Sequence, residues 1–373
     1  MQTVARSGTA SQGRGLGTDM VQEVVVLGGG YAGMFFVRRI LGNLPAGVRV
    51  TLVDRLPKSP LKTEFYSVAA GTTSLKEVTL PFPDHPQLRL VFDEVIGIDQ
   101  TARRVELRET GQVPYTTLVV ALGCVDRFHG LSGAEEHALG LQTLKRTQRT
   151  GQEILTLDAY RQVLLIGAGL TGIELAAELR ETRPDLNIAI IDRNDRVLNG
   201  FSDKLRGYVE QWLAEHDVKV MHHVTTRHIG RDSVETETGD IPYDKLVWTA
   251  GIQAHPLVQT LRGEFDSIGR IRVNAEFQTT ADPLIRVIGD CAASEHPPTA
   301  QVAEFQGDYL GEMLLAAWRE QPAPVRAYLN RGTLGALGRA AGFGNVKGVD
   351  LAGKVPRFLK MGVLWNYKRH VEK

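Results

Sequence analysis

Cysteine is nearly absent from this chain: Cys124 and Cys291 are the only two in 373 residues. No Cys-x-x-Cys or Cys-x4-Cys spacing exists, which excludes a redox-active disulfide of that kind and a cysteine-rich metal site. Both cysteines are expected to be buried packing residues. His222, His223 and His228 have a spacing that suits no standard ligand set, so no metal is expected. No run of 18 apolar residues occurs, and no membrane-spanning helix is expected. Residues 1–20 are polar and Gly-rich, without the apolar stretch of a secretion signal. They read as a disordered tail, and the protein as cytoplasmic. Net charge is also lacking, with 43 basic against 43 acidic residues, and no nucleic-acid partner is expected. That zero is uneven, however. From Val325 to Lys373 ten basic residues face only Asp350 and Glu372, which leaves +8 there and −8 on the rest. A basic segment on an acidic body points to an anionic surface.

What the chain does have, it has twice. Val24–Leu27 is an apolar run followed by Gly28-Gly29-Gly30-Tyr31-Ala32-Gly33, and Asp54 ends the next apolar run, Val48–Val53. Val163–Ile166 is followed by Gly167-Ala168-Gly169-Leu170-Thr171-Gly172, and Asp192 ends Ile188–Ile191. Each glycine run thus leaves a strand and opens a helix, expected at 32–41 and 171–181. The first Gly permits the tight turn, the second lets a pyrophosphate approach the backbone, and the third lets helix and strand pack closely. Phosphates then sit on the unpaired N–H groups of the helix N-terminus, and the acid accepts the adenosine ribose hydroxyls. Two Gly-rich turns in an ordinary α/β protein are the plain alternative. Two complete units instead imply two dinucleotides and electron transfer between them.

The two units begin 139 residues apart, so the second reads as an insertion in the first. Tyr115–Gly123 and Tyr243–Gly251 are paired phrases: a short apolar strand ending in Ala-Leu-Gly or Ala-Gly, where the chain would cross between domains. Leu284–Asp290 reads as a last strand returning to the first domain. The expected fold is α/β, with two Rossmann-like dinucleotide-binding domains, one inserted in the other, and a C-terminal helical tail. The expected bounds are 21–125 plus 270–325 for the first domain, 126–269 for the inserted one, and 326–373 for a C-terminal membrane or dimer segment. Pro297-Pro298-Thr299 before Ala300–Phe305 reads as a helix start. Such a helix either faces a flavin ring with its positive end or merely covers the sheet.

These landmarks, in this order, resemble the two-dinucleotide-binding-domain flavoprotein superfamily. Within it the chain is similar to the type II NADH dehydrogenases, through Phe65–Gly71, Gly167–Leu175, Val247–Gly251 and Pro298–Ala303. Lys62–Tyr66 and Val355–Lys360 resemble the branch of NADH dehydrogenase-like proteins. The resemblance implies non-covalent FAD in the first domain and NADH in the inserted one. It implies hydride transfer from NADH to FAD, then two electrons to a quinone, without proton pumping. For FAD it implies contacts at Gly28, Gly30, Ala32, Gly33, Asp54, Arg55, Lys62, Val95, Ala121, Gly123, Gly289, Asp290, Gln301 and Val302. For NADH it implies contacts at Gly167, Gly169, Leu170, Thr171, Gly172, Glu174, Asp192, Ala250 and Gly251. Glu174 matches a glutamate near the nicotinamide and Gln301 the first quinone-site glutamine, and these two are the candidate catalytic residues. The chain departs from the family's Ala-Gln-x-Ala-x-Gln in having Phe305 at the second Gln, with Gln306 after it. Lys62-Thr63-Glu64 replaces a usual proline. Both departures bear on the quinone rather than on FAD or NADH.

Three functions follow as candidates: an NADH:quinone oxidoreductase of the respiratory chain, a soluble NADH oxidoreductase with another acceptor, and an NADH-responsive regulatory flavoprotein. Asp192 favours NADH over NADPH by accepting the 2′-hydroxyl and repelling a 2′-phosphate. The tail is expected to form a helix over 356–370. At 100° per residue, Arg357, Lys360 and Lys368 share one sector, and Phe358, Leu359, Val363, Trp365 and Tyr367 occupy most of the rest. That pattern suits a helix lying peripherally on an anionic membrane, or a helix that joins two subunits in a homodimer.

Overall fold

The computed structural model describes residues 22–372, so the disordered tail expected at 1–20 lies outside the described residues. Eight α-helices occur among the described residues: α1 (Tyr31–Ile40), α2 (Phe65–Ala69), α3 (Ala134–His137), α4 (Leu144–Leu155), α5 (Leu170–Thr182), α6 (Asp203–Glu215), α7 (Ala300–Trp318) and α8 (Lys354–Glu372).

Val24, Val25, Val26 and Leu27 are fully buried, because their strand lies mid-sheet with both faces covered. It belongs to a five-stranded parallel sheet in the order 285–287, 117–120, 22–27, 48–54, 88–92. The chain leaves this sheet after Val120 and returns only at Ile285. In between it builds a second parallel sheet, ordered 218–221, 187–191, 162–166, 245–248. The topology is therefore the inserted α/β arrangement expected from the two glycine runs. A three-stranded antiparallel meander accompanies each sheet, at 95–114 and at 226–242. The crossovers after Gly123 and Gly251 pair with each other, Cys124–Asp126 antiparallel to Ile252–Ala254. Helix α7 lies against α1 at close range. A side chain at Gly307 would strike the Ala32 carbonyl.

The C-terminal segment is more than a helical tail. Thr333–Leu337, Ala341–Val346 and Val349–Gly353 form an antiparallel sheet that packs on α5 through Gly335 and Leu170. Seven of the sixteen strand residues are glycine or alanine, and they break any regular alternation of large apolar side chains in the sequence. Phe343 is fully buried, as is Leu337, and its ring meets Phe201 edge-on at 5.6 Å.

Helix α8 covers the expected 356–370, but its orientation corrects the expected basic stripe. Arg357 and Lys360 turn inward, to Glu178 and Glu174 of α5. Tyr367 and Val371 are buried in the core of the first unit. The outward face carries Phe358, Leu359, Met361, Val363 and Trp365. Two buried carboxylates on α5 require counter-charges, and this decides which way α8 faces. A helical wheel of α8 alone does not contain that information.

Candidate functional site

The two glycine runs build matching cradles. In the first, Asp54 ends its strand and ties back to the loop: Oδ2 accepts from Gly29 N at 2.7 Å and Oδ1 from Leu56 N at 2.8 Å. Burial raises the Asp54 carboxyl above its ordinary range, opposed by these N–H donors and by Arg55. Gly28 (φ +96°) lies on Ala121, and Gly33 on the Gly28 carbonyl. In the second, Asp192 Oδ2 accepts from Ala168 N at 2.6 Å, and Oδ1 accepts from Asn194 N at 2.8 Å and Nδ2 at 2.7 Å. Gly167 lies on Thr249 and Ala250, and Gly172 on the Gly167 carbonyl. Thr249 Oγ1 donates at 2.9 Å to the Ile166 and Gly167 carbonyls, so the third strand braces the loop.

The middle glycines, Gly30 and Gly169, differ from these neighbours. A Cβ on either would meet nothing within 4 Å. The helices they open, α1 and α5, carry no side-chain cap, whereas Thr143, Ser202 and Thr299 cap α4, α6 and α7. Open space before uncapped helix N–H groups is what a pyrophosphate requires. Ala32, Leu170 and Thr171 lie in those first turns. The residues present therefore fit a dinucleotide at each cradle. Gly251, at φ +146°, follows the second sheet's last strand, and the His129 ring lies 3.2 Å from the Ala250 carbonyl.

Between the cradles, outside the strand ends of the first sheet, several expected residues meet. Lys62 Nζ donates to the Cys124 carbonyl at 3.2 Å and to Cys124 Sγ at 3.1 Å. The Cys124 thiol donates to Asp290 Oδ2 at 3.1 Å. Cys291 Sγ donates to the Gly123 carbonyl at 3.1 Å. Both cysteines are buried as expected, but Cys124 also has polar partners. Burial pushes its thiol up to about 12. Gln306, 2 % exposed, accepts from Gly289 N at 2.7 Å and so holds the turn that presents Asp290. Val95 is buried at the start of the meander, and Val302 is buried in α7.

The candidate catalytic residues have other engagements. Glu174 is 4 % exposed; it accepts from Ala336 N at 2.9 Å and pairs with Lys360. Burial raises its carboxyl, opposed by Lys360 and the Ala336 N–H. Lys360 Nζ also lies 4.6 Å from the centre of the Tyr66 ring. Gln301 is tied to the linker before the C-terminal sheet: Nε2 donates to the Gly332 carbonyl at 2.7 Å, and Oε1 accepts from Arg331 N at 3.3 Å. Phe305 has a structural role that accounts for its presence. Its ring packs on Tyr309 and Tyr328 at 5.5 and 5.6 Å and under Arg326, fastening the same linker to α7. One helical position away, burial pushes Glu304 up to about 7, opposed by Arg331.

Sequence reasoning missed Gln306, Asn194, His129, Ala336 and Lys360. The shift of the second glutamine from 305 to 306 was a signal for the first. Lys360 lies 186 positions from Glu174, and nothing local pairs them.

The profile of the pyridine nucleotide-disulphide oxidoreductases matches residues 22–307. The chain is 38% identical over 353 residues to the NADH dehydrogenase-like protein YutJ of Bacillus subtilis, covering 94% of this chain and 99% of that one. It is 29% identical over 380 residues to a type II NADH:quinone oxidoreductase of Staphylococcus epidermidis, covering 91% and 93%. Among solved structures, it superimposes on NDH2 from Plasmodium falciparum in complex with NADH with a TM-score of 0.81 at 14% identity, covering 94% and 96%. The sulfide:quinone oxidoreductase of Aquifex aeolicus gives 0.77 at 19% identity, covering 94% and 91%.

Proposed function

The chain belongs to the pyridine nucleotide-disulphide oxidoreductase family and is an oxidoreductase, and from that premise we propose that it oxidises NADH through bound FAD and reduces a quinone. One observation carries this reading: two uncapped helix N-termini, each behind a glycine that faces open space, Gly30 and Gly169. The relatives' names, NADH dehydrogenase-like and type II NADH:quinone oxidoreductase, support the choice of donor and acceptor. Bound FAD supplies the two-electron chemistry between NADH and the acceptor.

The chain's own residues position it. Gly28, Gly30, Ala32 and Gly33 cradle the flavin's pyrophosphate, and Asp54 and Arg55 hold its adenosine. Ala121, Gly123, Gly289 and Asp290 line the crevice for the ring and ribityl chain. Gly167, Gly169, Leu170, Thr171, Gly172 and Asp192 do the corresponding work for NADH, with Ala250 and Gly251 at the domain crossing. Glu174 and Lys360 form a buried ion pair between α5 and α8, beside Tyr66 of the first unit. The exposed apolar face of α8 lays the protein peripherally on a membrane, where an apolar quinone resides. Among the described residues no helix is long and apolar enough to cross one. The engagement of Gln301 and Phe305 with the linker favours a second reading, an NADH oxidoreductase of the same fold with a non-quinone acceptor.

Steady-state NADH oxidation by the purified, FAD-loaded chain, with and without a soluble quinone, tests both. Stimulation by quinone is expected. NADH oxidation that ignores quinone but reduces ferricyanide supports the second reading, and no NADH oxidation with any acceptor refutes both.

A further inference from the structure

A quinone becomes a quinol by taking up two electrons and two protons. A hydride accounts for both electrons and one proton, so the second proton needs a donor in the protein. Gln301 has none to give, and both ends of its amide are spent on the linker, at Gly332 and Arg331. Glu304 lies three positions further along α7 and on the same face. One turn beyond it, Gly307 brings α7 against the Ala32 carbonyl. Glu304 is thereby set beside the first turn of α1, where Gly30 opens the flavin cradle. Its carboxyl is partly exposed and has no hydrogen-bond donor among the described residues; burial and the charge of Arg331 act on it. Three elements supply its neighbours. Tyr31 of α1 and Tyr367 of α8 lie close enough for the Glu304 charge to raise both phenols, and their rings meet at 5.1 Å. Arg331 comes from the linker. Behind the tyrosines stand Thr63, bonded to the Tyr31 hydroxyl at 2.8 Å, and the charges of Glu64 and Arg38. Burial outweighs Arg331 and pushes Glu304 up to about 7, where a carboxyl both holds and gives a proton near neutral pH. The two phenols, raised by burial, hold theirs too tightly to serve in its place.

We infer that Glu304 is the general acid that protonates the quinone as it is reduced. This rests on the function proposed above. The two electrons and one proton of the hydride leave the quinone with a negatively charged oxygen. The Glu304 O–H bond breaks, and its proton goes to that oxygen. The carboxylate left behind recovers a proton from water, which its partial exposure admits. The sum is NADH + H⁺ + quinone → NAD⁺ + quinol. Arg331 steadies the carboxylate in the interval. Tyr31 and Tyr367 form an aromatic wall on the side of α8, whose outward face is apolar.

The test uses the full chain loaded with FAD and reduced beforehand. Stopped-flow reoxidation of the flavin, followed at 450 nm, is measured for the parent and E304Q with a soluble quinone and with ferricyanide, which takes electrons without a proton. Quinone affinity of the oxidised protein is measured separately by quenching of its intrinsic fluorescence. E304Q should be reoxidised by quinone about a hundredfold more slowly at pH 7, the lower end of what a positioned general acid contributes. Its reoxidation by ferricyanide and its quinone affinity should stay within about threefold of the parent. The active form is the protonated carboxyl, so the parent's quinone rate should fall as pH rises through about 7, toward about tenfold per unit. E304Q should lose that limb, and E304D should keep it. Equal quinone rates in parent and E304Q overturn the inference. An equal loss with ferricyanide overturns it too, and so does a loss of quinone affinity that accounts for the slower rate. A parent quinone rate that is flat from pH 6 to pH 9 overturns it whether or not E304Q folds. If quinone does not reoxidise the parent at all, the quinone reading fails and this inference with it; a parent that reduces quinone with no defect in E304Q refutes this inference alone.

Discussion

Lys360→Met removes the cation from the Glu174–Lys360 pair, and the structure makes the result strongly pH-dependent. The two side chains are only 5% and 12% exposed, so neither charge is well solvated. Glu174 keeps one other donor, the Ala336 N–H. Its remaining neighbours give little help, since Glu64 pushes its carboxyl further up. Breaking a buried pair by deleting one partner costs about 3–5 kcal/mol, because the survivor is left charged and unpaired. Glu174 has an escape, which is to take a proton. Its carboxyl is already raised by burial in the parent, and without Lys360 it rises further. The folded variant then binds a proton that the unfolded chain releases above its ordinary Glu value. Stability falls as pH rises wherever the folded state binds more protons. The deficit of K360M relative to the parent should be small near pH 5 and grow by up to about 1.4 kcal/mol per pH unit. It levels off above the new folded value. Urea unfolding followed by far-UV CD at pH 5, 6, 7 and 8 measures it, with a second probe to confirm coincident transitions. The E174Q/K360M double variant should lose the pH dependence, since neither charge remains. A deficit below about 1 kcal/mol at every pH, typical of an exposed pair, or one equal at pH 5 and 8, would refute the placement of this pair in the interior.

Three further outcomes are expected. Gly30→Val and Gly169→Val should both fold, because each new side chain enters open space; the first should purify without flavin absorbance at 450 nm, and the second should keep flavin but lose saturable NADH oxidation. Retention of both functions would show that the cradles hold no phosphates. Asp192→Ala should raise the ratio of kcat/KM for NADPH over NADH at least tenfold, about 1.4 kcal/mol of transition-state discrimination; an unchanged ratio would mean that the next residue, Arg193, a cation able to accept a 2′-phosphate, already governs that position. Substituting Phe358, Val363 and Trp365, all exposed on α8, by Ser should weaken co-sedimentation with anionic liposomes more than tenfold without altering the far-UV spectrum; equal binding would leave the dimer as the role of that face. Truncating α8 is not a clean alternative, because Tyr367 and Val371 are part of the core.

The parts legible in the sequence share one property: each is set by a few neighbouring residues. A strand, a turn needing Gly28 or Gly167, a helix N-terminus and an acid at the end of the next strand all lie within one βαβ unit. Their geometry follows from local sterics and hydrogen bonding. The order of the two units implied the insertion, because a parallel sheet interrupted in sequence must be completed later. What the sequence could not decide depends on groups brought together from far apart. The sheet at 333–353 carries glycines and alanines at many of its strand positions, with Gly335 fitting under Phe343 and against Leu170 of α5, and these interrupt any periodic trace. The direction α8 faces was decided by Glu174 and Glu178, two carboxylates that α5 buries and that pair with Lys360 and Arg357 of α8. The basic stripe was therefore real as a pattern, and its partner was an interior acid pair. The chain Lys62–Cys124–Asp290 likewise joins three segments that have no sequence relation. Local backbone physics made the dinucleotide cradles readable, while the burial of charge, which no single segment can resolve alone, decided where the ionisable residues of the site ended up.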